Sequence, residues 1–157
     1  MKNIVTLFLF LFLAFQVHSQ EQNQLEEIMN ITLEKYLEIK KSPINDYETP
    51  RDLSEVYLNV GDDMVNFEIS QKVKDTGIRL INFDDKFDVK LFKNPRLIIG
   101  VSFPVLQGNA IRIDIGDWSG FKKGKRLWCS TPVHGATFLW QYSCETGKWE
   151  MVSMDYK

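Results

Sequence analysis

Asp117, Trp118, Trp128 and His134 come nearest in this chain to the makings of a site. A carboxylate beside an indole suits the mouth of a cleft, where a ring stacks and a hydrogen bond fixes its orientation. Between the two tryptophans runs Gly120-Phe121-Lys122-Lys123-Gly124-Lys125-Arg126. Its Lys122, Lys123 and Lys125 suit an anionic partner. The chemistry this set implies is binding. His134 has no G-x-S-x-G elbow near Ser130 or Thr131 to make it a general base. Cys129 and Cys144 with His134, the one histidine beyond the expected signal segment, fall short of a zinc site. The acids at Asp62-Asp63, Asp84-Asp85-Asp88 and Asp114/Asp117 lack the spacing of a calcium loop. The basic run lacks the Ser/Thr after Lys, and one residue of the spacing, that a phosphate loop needs. Neither a catalytic residue nor a metal nor a cofactor is expected.

The strands that must hold these residues lie between Leu97 and Tyr156, which contains all four tryptophans. Leu97–Phe103 is apolar and β-rich, and Pro104 predicts an edge or bulged strand there. Gln107-Gly108-Asn109 is a turn signal. Ala110–Asp117 alternates, with Ile111, Ile113 and Ile115 on one face. Ser119–Lys125 reads as a flexible basic loop. Arg126–Ser130 is expected to pair with Thr137–Cys144, and Cys144 to stand opposite Trp149, Tyr142 opposite Met151 and Trp140 opposite Ser153. Phe138, Trp140, Tyr142 and Cys144 then share the core face. With Cys129 opposite Phe138, Cys144 lies along the same strand about 20 Å away. A disulfide needs Cα atoms within about 7 Å. Either both thiols stay reduced or the register differs.

Met1–Ser19 has the composition of a secretory signal: Lys2, an apolar stretch from Ile4 to Phe15, and a small residue before Gln20. The expectation is an exported protein, periplasmic or extracellular, with no membrane span in residues 20–157. The whole chain carries a net charge of −2, which gives no footprint for nucleic acid. Residues 21–41 predict an amphipathic helix, with Leu25, Ile28, Met29, Leu33, Tyr36 and Leu37 at helical spacing, Lys40 and Lys41 at its C-terminal end, and Ser42-Pro43 as its stop. Segment 51–72 is ambiguous, with strand slightly preferred for Val56, Leu58 and Val60. Ile78–Phe83 and Phe87–Phe92 predict a hairpin around Asp84-Asp85.

The fold expected is a single α+β domain over residues 20–157: an N-terminal amphipathic helix packed on a curved antiparallel sheet of about six strands spanning roughly residues 55–156. This layout loosely resembles the cystatin-like or NTF2-like group, where a helix lies across a meander. The resemblance is one of architecture and implies no function. The function expected is an exported binding or interaction protein, with an unknown protein or small molecule as partner. Two alternatives are a small ligand-binding or enzymatic domain with a tryptophan-lined cleft, and an envelope inhibitor or immunity-type protein acting through Ser119–Arg126.

Overall fold

The computed structural model describes residues 23–42, 51–59, 68–83, 88–102, 104–130 and 134–156. The expected signal segment, the Gly61-Asp62-Asp63 and Asp84-Asp85 turns and the Thr131–Val133 loop lie outside the described residues. Among the described residues, no helix is long and apolar enough to cross a membrane.

The chain is a mixed α+β protein in which one long helix, α1 (residues 23–41), packs on an open sheet of eight strands. The strands are β1 (Tyr57–Asn59), β2 (Arg79–Ile81), β3 (Arg96–Val101), β4 (Val105–Gln107), β5 (Ala110–Lys123), β6 (Arg126–Cys129), β7 (His134–Ser143) and β8 (Lys148–Tyr156). Their order is β2-β1-β3-β5-β7-β8. β1 runs parallel to both β2 and β3, and the pairs β3–β5, β5–β7 and β7–β8 are antiparallel. The sheet is thus larger than expected and antiparallel except around β1.

β5 is the spine. On one edge it carries β3 and then β4; on the other, β7 and then β6. Each edge is broken once, and a serine bridges each break. Ser102 donates its N–H to the Asp114 carbonyl, and its hydroxyl oxygen accepts from the Asp114 N–H. Ser130 and Ser119 repeat the arrangement. The hydroxyl stands in for a missing strand carbonyl, so the long strand keeps its hydrogen bonds where its neighbours stop.

Helix α1 buries Ile28, Met29, Leu33, Tyr36 and Leu37 at helical spacing. It lies on Leu58 of β1, Ile99 and Val101 of β3, Ile113 and Ile115 of β5, and Ala136, Phe138 and Trp140 of β7. These residues alternate along their strands, which is why they share a face. The other face carries a smaller cluster of Tyr57, Ile81, Phe92 and Ile98, with Trp118 and Leu127 against it. There the six-membered ring of Trp118 lies on Gly100, and a Cβ at that position would sit 2.2 Å from the ring. Gly100→Val is expected to lower the unfolding free energy by about 1–3 kcal/mol, read by urea denaturation. The near-UV dichroism of Trp118 should change with it. An unchanged midpoint would refute this packing.

Several sequence expectations need correction. Among the described residues of 78–92, the two segments do not pair as a hairpin. β2 pairs in parallel with β1, and Val89–Phe92 is a 3-10 turn capped by the Asp88 carboxylate. Burying Phe92 against the second face overrides the strand pattern. In the ambiguous segment, Leu53–Glu55 is a 3-10 turn, Tyr57–Asn59 a strand and Gln71–Lys74 a short helix, α2. β3 is interior rather than an edge, because Pro104 falls after its end. The basic stretch is strand up to Lys123, closed by a tight turn with Gly124 at φ 66°. β6 pairs with β5 and not with β7. In the last hairpin Tyr142 faces Trp149 and Trp140 faces Met151, with a bulge between Leu139 and Trp140. Phe138 and Trp140 are in the core as expected, whereas Tyr142 and Cys144 are exposed.

Candidate functional site

Of the four residues singled out for ligand binding, Asp117 and His134 come together as cross-strand partners, whereas Trp118 and Trp128 lie elsewhere. Asp117 points to the helix face, where Tyr36 donates its hydroxyl to Oδ1 at 2.7 Å and Lys40 pairs with Oδ2 at 2.6 Å. Trp118, its neighbour, points to the opposite face by strand alternation and rests on Gly100. Trp128 is exposed on β6, directly opposite Phe121. His134 stands opposite Asp117 at the exposed start of β7. Lys122, Lys123 and Lys125 do fall together, at the exposed tip of the β5–β6 hairpin.

Asp117 belongs to a buried polar knot. Lys40 is 3% and Asp117 4% exposed. Lys40 also donates to the Tyr156 hydroxyl at 2.6 Å and lies over the Tyr36 and Tyr156 rings at 5.2 and 5.0 Å. Burial by itself would depress the Lys40 ammonium. The hydrogen bonds and charges of Asp117 and Tyr156 outweigh it and hold the group above the usual lysine range. The knot ties the last turn of α1 to the centre of β5 and the end of β8. It is closed to solvent, so it acts on the fold. Sequence reasoning assigned Lys40 to the helix dipole. The missed signal is that Lys40 follows Leu33 and Tyr36 on the apolar stripe, at seven and four residues. A lysine there is either buried with a partner or snorkels out.

The cysteines are free and lie at opposite ends of the spine. Cys129 faces Gly120, and Cys144 lies beyond the Gln141–Ala110 pair. More than ten residues of β5 separate them, on the order of 30–40 Å. Burial pushes the Cys129 thiol up, away from the nucleophilic thiolate. Asp114, on the outer face, is held by Arg112 at 2.9 Å and by the Thr137 hydroxyl at 2.6 Å. Among the described residues no group of three or more His, Cys, Asp or Glu could hold a metal ion.

Among the described residues, a concave site lies between the first turns of α1 and the β7–β8 hairpin. This cleft of about 310 Å³ is lined by Gln24, Glu27, Ile28 and Ile31 of the helix and by Trp140, Gly147, Lys148 and Trp149 of the hairpin. Its volume falls at the low end of small-molecule sites. The Trp140 indole N–H donates to the buried Thr32 hydroxyl at 2.9 Å, which fixes the floor. Trp149 is half-buried and braced edge-on by Tyr142, with ring centroids 5.6 Å apart. Gly147, at φ 65°, closes the turn with its N–H on the Ser143 carbonyl and puts no side chain in the way. Ile28 and Ile31 supply apolar wall, and Gln24, Glu27 and Lys148 supply hydrogen-bonding groups of both signs. Such a lining can stack a ring and orient its polar edge.

A second groove, of about 260 Å³, separates α1 from α2 and is lined mainly by Glu34, Glu38, Lys41, Lys72 and Asp75. Lys72 crosses it to Glu34 at 2.6 Å, and that bond raises the lysine above its ordinary value. Within the groove, Lys72 and Glu34 are thus engaged with each other.

Comparison with protein-family models, curated proteins and solved structures finds no match. The geometry of the chain itself carries what can be said of its function.

Proposed function

We propose that this is an exported binding protein without catalytic activity, and that its ligand seats in the cleft between α1 and the β7–β8 hairpin. The observation that carries the reading is the pairing of Trp140 and Trp149 with Ile28 and Ile31 in one concavity bordered by Gln24, Glu27 and Lys148. The ligand class that fits is a small polar ring of the saccharide kind. Its C–H face would stack on an indole, and its hydroxyls would find the mixed donors and acceptors. Export is supported by the composition of Met1–Ser19.

The test is a thermal-shift screen of residues 20–157 against mono- and disaccharides and aromatic acids, with wild type and Trp149→Ala side by side. A ligand at 100 times its Kd stabilises the fold by about 2.7 kcal/mol, a shift of several degrees in a domain of this size. The shift is expected in wild type and absent from Trp149→Ala. A ligand that shifts both proteins equally would place the site elsewhere.

A further inference from the structure

We propose that the tip of the β5–β6 hairpin is a docking surface for an anionic lipid bilayer. The surface is separate from the tryptophan cleft and goes beyond the ligand-binding reading.

The hairpin register sorts its side chains. Phe121 stands opposite Trp128 and Lys123 opposite Arg126, so these four share one face. Phe121 is 36% and Trp128 48% exposed. Two large aromatics side by side in solvent are unusual for a small domain, where such rings usually fill the core. Lys123 places its ammonium 4.7 Å from the Trp128 ring. Lys122 and Lys125 add charge from the other face and from the turn. Between Trp118 and Cys144 the chain carries no acidic residue, although the protein as a whole is at −2. The tip is therefore a locally positive surface on a slightly acidic molecule.

An anionic bilayer offers both halves of what this surface needs. Headgroup phosphates meet the cations. The interface beneath them accepts indole and phenyl rings, and tryptophan with flanking lysine or arginine is enriched at that depth. An acidic protein partner would need an apolar pocket shaped to this pair of rings beside its carboxylates, whereas a bilayer supplies phosphates and an apolar phase at once. The base of the hairpin is anchored independently. Leu127 packs in the second cluster, Gly120 lies under Ile98, and Ser119 and Ser130 exchange hydrogen bonds. Tip substitutions should therefore leave the fold intact.

The experiment is co-sedimentation of residues 20–157 with vesicles of phosphatidylcholine alone and of phosphatidylcholine mixed with phosphatidylglycerol. Far-UV dichroism checks each variant's fold. Binding is expected to the mixed vesicles only, falling as salt is raised, with a blue shift in emission that Trp128→Phe abolishes. Each cation contributes roughly five-fold in affinity near an anionic surface. The triple variant Lys122→Glu/Lys123→Glu/Lys125→Glu should accordingly lose on the order of a hundred-fold or more. Phe121→Ala/Trp128→Ala should weaken binding while keeping its salt dependence. No binding to mixed vesicles at low salt overturns the proposal, as does binding that both variants leave unchanged. Equal affinity for soluble polyglutamate, with no blue shift on vesicles, also overturns it and transfers the surface to an acidic protein.

Discussion

Asp117→Ala is expected to lower the unfolding free energy by about 3–5 kcal/mol. The carboxylate is 4% exposed and receives both the Lys40 ammonium and the Tyr36 hydroxyl. Removing it leaves a buried cation whose partners no longer match its charge, and that uncompensated charge accounts for most of the loss. The pair itself contributes far less, because desolvating both ions offsets most of their attraction. Lys40→Met/Asp117→Leu should therefore recover most of the stability lost in Asp117→Ala. Urea denaturation of wild type, Lys40→Met, Asp117→Leu and the double variant would measure the coupling. A double variant as unstable as Asp117→Ala would mean that the knot stabilises by more than mutual compensation. The sign of the pH effect follows from Lys40. Its folded-state pKa is raised, so its contribution is fully present below about pH 10.4, the unfolded value. It is lost as pH climbs through the folded value. Lys40→Met should flatten this alkaline limb, and an unchanged slope would contradict the assignment.

Trp140→Ala is the second large effect, about 3–5 kcal/mol. The indole is 4% exposed, sits in the main core and forms the cleft floor. Trp140→Phe separates packing from hydrogen bonding. It keeps a ring but strands the hydroxyl of Thr32, which is 0% exposed, at a cost of about 1–3 kcal/mol. Adding Thr32→Val to Trp140→Phe should relieve part of that cost, since removing both partners of a buried hydrogen bond is nearly neutral. Equal stability for Trp140→Phe with and without Thr32→Val would show that the bond contributes nothing.

The sequence revealed elements whose patterns are set locally. The helix stripe, the alternation of Ile113 and Ile115, and the inward Phe138 and Trp140 were all legible, because a period of 3.6 or 2 is written in consecutive residues. Strand partners were not. Nothing local says that Leu127 prefers the second cluster, which makes β6 pair with β5 rather than β7. The β7–β8 register moved because four turn residues, Cys144–Gly147, close directly between Ser143 and Lys148. The turn is as long as expected but begins one residue earlier, and one misplaced residue moves every pair. Residues 89–92 read as strand because they alternate, yet covering the second face makes them a 3-10 turn.

The candidate site divides along the same line. The sequence offered Asp117, Trp118 and Trp128 as candidates, but which tryptophans and acids share a concavity depends on pairings far apart in sequence. Asp117 and Trp118 are adjacent in the chain and face opposite sides of the sheet. Glu27 and Trp149 are distant in sequence and line one cleft. The hairpin lysines were legible as a group because a tight turn keeps close neighbours together.

The most direct test of the cleft is a titration followed by the indole N–H resonances of a nitrogen-15-labelled sample, each assigned by its Trp→Phe variant. The titrant is a saccharide that stabilises the fold. The Trp149 and Trp140 signals should move together and saturate at one Kd, while those of Trp118 and Trp128 hold still. Movement of Trp128 or Trp118 with Trp149 unmoved would contradict the account and place the ligand on the hairpin or the second face.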